Sequence, residues 1–300
     1  MKRETTHSPR VGRPGIAWAL PAVIFFFLFA AAPMVVVGYL SLTDWDGLRD
    51  PSWVGMDNWS RLWNDDGMRN AIWLSLLLTA LTWITQTPIV LLLGVWAAGR
   101  QKNRAVLSAI FFVPLLASSV ALALLWKTIF DPNLGLAADV ADWFNLESSD
   151  LLGSETGAFA AILFVTGWQF VPFHTLIYQG GARQIPQSLY DAASLDGAGT
   201  VRQFFHITLP QLRNTIITST VLMVVGALTY FDTVLILTRG GPGDATSIVP
   251  YLMYETGFRA FDLGYASAVA AALVIVATGV SLLLVRLTGF TKMHSTREGM

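Results

Sequence analysis

Five polar or aromatic side chains lie inside long apolar stretches of the sequence, where a membrane makes polar groups costly. They are Gln86, Trp168, Gln169, Tyr230 and Asp232. Carboxylate and amide groups exchange hydrogen bonds with hydroxyl groups, and aromatic rings can cover the C–H face of a sugar. This mixture predicts a path for a neutral polyol. The alternative for each side chain is hydrogen bonding or packing between helices, worth about 0.6 kcal/mol on average in membranes.

The sequence offers no comparable pattern for catalysis or metal binding. It contains no cysteine, which excludes thiolate catalysis, disulfides and cysteine-ligated metals. It has no Gly-x-x-x-x-Gly-Lys-Ser/Thr loop to hold phosphates and no His-Glu-x-x-His pair. Its four histidines are scattered, and His174 is expected to be a hydrogen-bonded packing residue. We therefore predict no catalytic residue, no metal site and no cofactor.

The composition indicates how these side chains are housed. Of the 300 residues, 54% are hydrophobic and 13% are charged, with a mean hydropathy of +0.54. Soluble domains carry about 25% charged residues, so lipid is the simplest solvent for this chain. The formal net charge of -1 gives no long-range positive field and no support for a nucleic-acid partner.

Six apolar stretches reach the roughly 20 residues that a helix needs to cross a bilayer. They predict an all-α polytopic membrane protein whose domain of residues 16–288 has spans at about 16–42, 71–98, 105–130, 157–180, 214–238 and 265–288. The first stretch resembles a secretory signal at its start, but it continues to Leu42 and is too long for one. We expect it to be a retained helix.

Basic residues predict the orientation of these spans, because Lys and Arg concentrate in short cytoplasmic loops. Most of them fall in four segments: the N-terminal tail 1–15, the second-to-third loop, the segment 181–213 and the C-terminal end including the tail 289–300. The loops at about 43–70 and 131–156 are rich in Asp and Glu instead. None of the predicted spans carries Arg or Lys in its middle, which disfavours an anionic substrate. Both termini are therefore predicted to be cytoplasmic.

The cytoplasmic segment 181–213 has the local pattern of a helix, a turn and a second helix. Ser188 can cap the first helix, with the Asp191 carboxylate in its first turn. Gly197 and Gly199 supply positions that accept a positive φ, so the chain can turn there.

A second helix is expected to follow this turn. Thr200 can cap it, with Gln203 completing a capping box, and Pro210 limits it before the fifth span. A short helix on such a loop can sit in a groove of a soluble partner, and the small residues Ala192 and Ala193 allow close approach. The alternative is a loop that only connects two spans.

The spacing within this segment resembles the EAA loop of ABC importer permeases. That signature has Glu-Ala-Ala, Gly after three residues, Ile after nine more, then one residue and Leu-Pro. The matching positions are Asp191, Ala192, Ala193, Gly197, Ile207, Leu209 and Pro210. The one departure is Asp191, which keeps the charge of the family's glutamate but is one methylene shorter. The resemblance implies that this loop is the coupling helix that docks on an ATPase.

Other short segments are similar to those of the maltose and glycerol-phosphate type of carbohydrate permease. They are Asn58-Trp59, Gly167-Trp168-Gln169, Asp196-Gly197-Ala198, Phe231-Asp232, Thr238 to Pro242 and Gly264 to Ala268. The resemblance implies the type I ABC importer permease fold and import of a sugar by alternating access. The implied partners are a second, usually non-identical permease subunit, two ATPase subunits and an extracytoplasmic solute-binding protein.

Two other readings remain open at this point. An ion-coupled secondary transporter would normally show inverted repeats and several ionisable residues near the midplane, whereas Asp232 is the one candidate carboxylate. Permeases for amino acids, peptides or ions share the coupling-loop signature, so a non-sugar substrate is the second alternative. The preference for sugar rests on the resemblance of the Phe231-Asp232 and Gly240-Gly241-Pro242 segments.

Overall fold

A computed structural model describes residues 16–99, 109, 111–136, 143 and 150–288. The predicted cytoplasmic tails at 1–15 and 289–300 and the basic residues between the second and third spans lie outside the described residues.

Within the described residues the protein is almost entirely helical, as predicted. The helices are α1 (Leu20–Leu40), α2 (Asp57–Asn64), α3 (Asp66–Ala97), α4 (Val113–Leu116), α5 (Ser119–Ile129), α6 (Glu155–Ala182), α7 (Gln187–Leu195), α8 (Thr200–Gln211), α9 (Arg213–Leu228), α10 (Asp232–Leu237), α11 (Val249–Tyr254) and α12 (Leu263–Thr288). Three of them adjoin or contain a π-helical turn, at Phe27–Ala31 in α1, Phe204–Thr208 in α8 and Glu255–Arg259 after α11. The strands β1 (Thr43–Asp44) and β2 (Ser52–Trp53) form a small antiparallel hairpin.

The centre of the bundle is the pair α3 and α6, which pack along much of their length. A small residue allows this approach, because a Cβ added at Gly94 of α3 would overlap the Cβ of Tyr178 on α6. Gly181 of α6 likewise allows the approach of α9, since a Cβ there would overlap Thr215. One buried cluster joins Leu78 of α3 to Ile162 of α6 and to α10. The helices α9, α10 and α12 thus pack around the pair α3 and α6.

Four helices in the described part of the chain are long and apolar enough to cross a bilayer. They are Leu20–Leu40, Asp66–Ala97, Glu155–Ala182 and Leu263–Arg286, and the bent pair Thr200–Gln211 and Arg213–Leu228 makes a fifth if it is counted as one span. The polytopic all-α class is therefore confirmed, whereas six spans and cytoplasmic termini stay predictions.

The predicted third and fifth spans differ most from the structure, because both are interrupted. Within 105–130 the described helices α4 and α5 are separated at Ala117 and Ser118, and the Ser118 hydroxyl caps α5 through the Ala121 N–H. Within 214–238 the helix stops at Leu228 and resumes at Asp232. The apolar pattern continues through both breaks, so it predicted unbroken helices.

The segment after α1 is joined to α2 and α12 at the end of the bundle that the predicted orientation places outside the cell. The Asn58 amide donates to the carbonyl oxygens of Ser41 and Thr43, at 3.1 and 2.8 Å. The N–H groups of Leu263 and Gly264 donate to the Trp45 carbonyl, at 2.9 and 3.1 Å. These bonds join the first and last membrane helices at one end of the bundle.

A charged cluster completes this outer junction. Arg61 pairs with Asp262 and also lies over the Tyr265 ring, 4.0 Å from its centroid. The Tyr265 hydroxyl donates to Asp65, the N-cap of α3, at 2.7 Å. Partial burial raises the pKa of Asp65, but hydrogen bonds from Tyr265 and from the backbone outweigh it and leave this pKa below its ordinary value.

We predict that Gly264→Ala destabilises this junction. The added Cβ would overlap the Thr43 carbonyl oxygen, and such overpacking costs about 1–3 kcal/mol. The thermal unfolding midpoint of the detergent-purified protein should therefore fall. Gly279→Ala in the same helix is the control, because no atom lies within 4 Å of the added Cβ. Equal midpoints for the two variants would contradict the packing described here.

Candidate functional site

The interruption between α9 and α10 opens into a cavity of about 380 Å³. Thr229, Tyr230 and Phe231 are not helical, and all three line this cavity together with Asp232 at the start of α10. The Thr229 N–H bonds to the Gly226 carbonyl at 3.1 Å and so leaves the Val225 carbonyl without its usual helical partner. The Thr229 hydroxyl reaches both carbonyl oxygens, that of Val225 at 3.2 Å and that of Gly226 at 3.0 Å. The break therefore exposes polar side chains and backbone to a space inside the bundle.

The opposite wall of the cavity is one face of α6. Phe170, Phe173 and His174 occur at helical spacing and all line the cavity. The Phe170 ring stacks on Tyr230, with centroids 5.6 Å apart and an angle of 18° between the planes. The stacked pair thus forms one aromatic part of the cavity lining.

Hydrogen bonds hold the polar groups around this cavity. His174 Nδ1 lies 3.0 Å from the Ser219 hydroxyl of α9. The Gln169 amide donates to the hydroxyl of Ser119, a lining residue at the start of α5, at 3.0 Å. His174 is the hydrogen-bonded packing residue that the sequence predicted, and it also borders the cavity.

The structure brings together three of the five predicted path residues. Tyr230 and Asp232 line the cavity, and Gln169 reaches it through its bond to Ser119. Gln86 is buried elsewhere against Gly167, and the Trp168 ring packs edge-on against Trp126 with centroids 5.4 Å apart. Consecutive helical residues point about 100° apart, so Trp168 and Gln169 face different sides of α6. The substrate roles of all five stay predictions.

Sequence reasoning missed the aromatic face of α6 and the Ser119 hydroxyl. Phe170, Phe173 and His174 recur at i, i+3 and i+4, which is the signal that marks one helical face. That signal is weak in a span that is apolar all round. Ser119 lies in the predicted third span, and only the break before α5 places it beside the cavity.

The second candidate site is the exposed loop formed by α7 and α8. The Tyr190 hydroxyl of α7 lies 2.8 Å from the Thr208 hydroxyl of α8. The Gln203 amide donates to the Ser194 hydroxyl at 3.0 Å and to the Ala198 carbonyl at 2.9 Å. These bonds make the two helices one unit.

The turn between the helices is a Schellman motif. The N–H of Gly197 donates to the Ser194 carbonyl at 3.1 Å, and the N–H of Ala198 donates to the Ala193 carbonyl at 2.8 Å. Gly197 has φ +77°, as predicted, whereas Gly199 has φ -70° and needs no glycine for its conformation.

The predicted caps of both helices were wrong. The helix α7 begins earlier, with Pro186 at its N-cap, so Ser188 lies inside its first turn. Gly199 is the N-cap of α8, and neither helix has a side-chain cap there. Gln203 bonds across to α7 instead of completing a capping box, because the tight turn places the two helices within its reach.

The residues of the loop signature lie in two places, on the exposed helix α7 and at the end of α8 before the bend into α9. Asp191 and Ala192 are exposed on α7, and Asp191 accepts a hydrogen bond from Gln187 at 3.1 Å, while Ala193 is half-buried. Ile207 and Leu209 are half-buried at the end of α8, and Pro210 is exposed there. The chain then bends by 66° into α9.

The loop carries unusually exposed apolar side chains for a polar end of the molecule. Leu195 is 90% exposed, Val201 is 72% exposed and Phe205 is 56% exposed. Single exposed apolar residues are ordinary, but a group of them on one small unit is typical of a surface that contacts a protein or a membrane.

Long apolar helices around a polar and aromatic cavity, with an ordered apolar loop at one end, define a polytopic membrane transport component. Comparison with known families makes this assignment specific. The chain belongs to the family of binding-protein-dependent transport system inner membrane components, whose family model matches residues 90–289.

Individual relatives agree with this family. The chain is 31% identical over 269 residues to the probable ABC transporter permease protein YurN of Bacillus subtilis, covering 88% of this chain and 92% of the relative. It is 30% identical to the multiple sugar-binding transport system permease protein MsmF of Streptococcus mutans, covering 89% and 90%. The fold is similar to a chain of a bacterial alginate ABC transporter crystallised with an alginate pentasaccharide-bound periplasmic protein. That likeness has a TM-score of 0.80 and 22% identity, and it covers 91% of this chain and 92% of the other.

Membership of this family tests several of the predictions made from the sequence. It confirms the ABC importer permease class, the location in the cell membrane and the prediction that the chain is not itself an enzyme. It also excludes the ion-coupled secondary transporter as the description of this chain.

We predict that Gly197→Ala loosens the α7–α8 loop. An alanine in the left-handed conformation costs about 1–2 kcal/mol, which raises the open population about 5- to 30-fold. Cleavage of the purified protein by trypsin at Arg202 should accelerate by this factor. Gly199→Ala is the matched control, because both positions have open space around them and only Gly197 has a positive φ. Equal cleavage rates for Gly197→Ala and Gly199→Ala would contradict the role of Gly197 in this turn.

Proposed function

We propose that this chain is one permease subunit of an ATP-driven, binding-protein-dependent importer that passes a neutral sugar or oligosaccharide across the membrane by alternating access. The observation that carries the proposal is the interrupted fifth helix beside the cavity, with Tyr230 and Asp232 on one side and aromatic α6 on the other. Relatives named as sugar transport permeases, such as MsmF, support the same substrate class.

The chemistry of the cavity favours a neutral sugar. The aromatic lining residues Phe170, Phe173 and Phe231 supply apolar surface for the C–H side of a sugar ring, while Asp232 and Ser119 can bond to its hydroxyl groups. Among the described residues that line the cavity, none is Lys or Arg. A carboxylate without a neighbouring cation would repel an anionic sugar. The similarity to the alginate transporter therefore concerns the fold and does not extend to an anionic substrate.

The α7–α8 loop is the proposed docking site for the ATPase subunits. Its exposed apolar residues supply a surface for a groove, and Asp191 stands beside them on α7. The loop continues through the 66° bend into α9, and α9 ends at the break that lines the cavity. Movement of the loop by the ATPase therefore acts on the cavity through one rigid helix.

The remaining partners are assigned to the other surfaces. The apolar side chains of α1 are exposed along most of its length and suit lipid or a second permease subunit, which we propose is non-identical. The solute-binding protein is assigned to the end that holds the hairpin, α2 and the acidic residues Asp44, Asp57 and Asp262.

We predict that Tyr230→Ala and Asp232→Asn each lower sugar import about tenfold, because the first removes an aromatic contact and the second replaces a hydrogen bond to a charged carboxylate by a weaker neutral one, each costing about 1.5 kcal/mol. The measurement is uptake into proteoliposomes holding the full transporter, with radiolabelled glucose, maltose, trehalose, cellobiose and raffinose as probes. Uptake should require ATP and the binding protein.

Controls separate the cavity from the coupling loop. Asp66→Asn changes an exposed residue away from the cavity and should leave import unchanged. Leu195→Asp should reduce both recovery of the ATPase with the membrane subunits and import, because it places a charge on the docking surface. ATP-independent import, or normal import by Asp232→Asn, would contradict the proposal.

A further inference from the structure

Aromatic rings continue from the cavity to the outer surface of the protein. Phe231 lines the cavity, and its ring centroid lies 5.3 Å from that of Tyr254 at the end of α11. Tyr254 in turn stacks with Phe258, at 5.8 Å and 28°. Phe258 is 66% exposed, so the series begins at the cavity and ends in the open. We call Phe231, Tyr254 and Phe258 the aromatic track.

The backbone under the track is fixed by polar contacts. Glu255 accepts hydrogen bonds from the Tyr251 hydroxyl and from Arg259, both at 2.8 Å. Gly257 packs under α12, where an added Cβ would lie 2.9 Å from the Cβ of Ala266. The π-turn that carries Phe258 is therefore held on two sides, and the rings keep their relative positions.

The track ends beside the outer junction of the molecule. The chain runs from Phe258 to Asp262 and Leu263, which bond to α2 and to the hairpin. This is the end of the bundle to which the binding protein is assigned. A sugar released there meets an exposed ring with a carboxylate and a guanidinium beside it, from Glu255 and Arg259.

The chemistry of this surface fits a sugar better than lipid. Exposed aromatic rings at membrane interfaces commonly anchor a protein in the headgroup layer. An anchor of that kind needs no connection to the interior, whereas these rings are in contact one after another as far as the cavity. Flat faces flanked by polar groups are the surface that recognises the two sides of a sugar ring.

We propose that the aromatic track is a second sugar-binding surface, over which the sugar passes from the outer face to the cavity by stacking on successive rings. This inference rests on the proposed sugar import, and it adds the route and the residues that form it. The sugar would first meet the exposed ring of Phe258 and would reach the cavity at Phe231.

The test replaces ring faces while keeping apolar volume. Phe258→Leu and Tyr254→Leu should lower the maximal import rate by about 2- to 10-fold, the range that an aromatic contact supplies. Phe258→Tyr keeps the ring and should import at the wild-type rate. The assay uses the complete reconstituted transporter and the sugar of the panel above that the wild type imports fastest.

ATP hydrolysis stimulated by the loaded binding protein is measured in the same vesicles. It should stay at the wild-type rate in Phe258→Leu, because the track acts on the sugar and not on docking. Trp73→Leu is the control for loss of an exposed ring: this side chain is 62% exposed on α3 and lies outside the track, so import should be unchanged.

Three results would contradict the proposal that the sugar passes along the aromatic track. They are wild-type import by Phe258→Leu, an equal loss in Phe258→Tyr, and a parallel loss of ATP hydrolysis that would indicate impaired docking. Failure of the wild type to import any sugar of the panel would instead overturn the proposed substrate class, and the track with it. The wild-type reaction thus distinguishes the two failures.

Discussion

Hydrocarbon offers no hydrogen-bond partner, so a backbone that leaves the helix inside a membrane must be satisfied by protein or by a polar space. The break at Thr229, Tyr230 and Phe231 meets this constraint in both ways. The Thr229 hydroxyl bonds back to the preceding turn, and the break faces a cavity bordered by polar groups of α5 and α6. The position of the cavity, and of the aromatic rings leading to it, follows from this one interruption.

Because of this interruption, α9 connects two candidate sites. Its first residues follow the 66° bend at the α7–α8 loop, and its last residues open into the cavity. Gly94 allows α3 and α6 to pack closely, and Gly181 of α6 allows the start of α9 to pack closely on α6. In the proposed mechanism, a displacement of the loop reaches Tyr230 through α9.

The sequence predicted the long elements well, because length and absence of charge suffice for them. The helices α3, α6 and α12 begin and end within about two turns of the predicted spans. The breaks were not predictable, since apolar residues continue through Thr229 to Phe231 and the interruption depends on tertiary packing. The spacing from Asp191 to Pro210 located the loop, but its caps depend on how α7 and α8 meet. Trp168 and Gln86 show the same limit: polarity marks a residue as unusual, and only helix rotation decides what it faces.

If the break between α9 and α10 lines a water-accessible path for the substrate, a thiol placed at the break must react with water-soluble reagents. The chain has no cysteine, so Thr229→Cys introduces a single thiol into this subunit. In vesicles with the assembled transporter, a charged methanethiosulfonate reagent should modify this thiol, and the imported sugar should slow the reaction. Ile275→Cys, on the apolar surface of α12, should stay unmodified. A Thr229→Cys thiol that reacts no faster than Ile275→Cys, with and without ATP, would contradict the account.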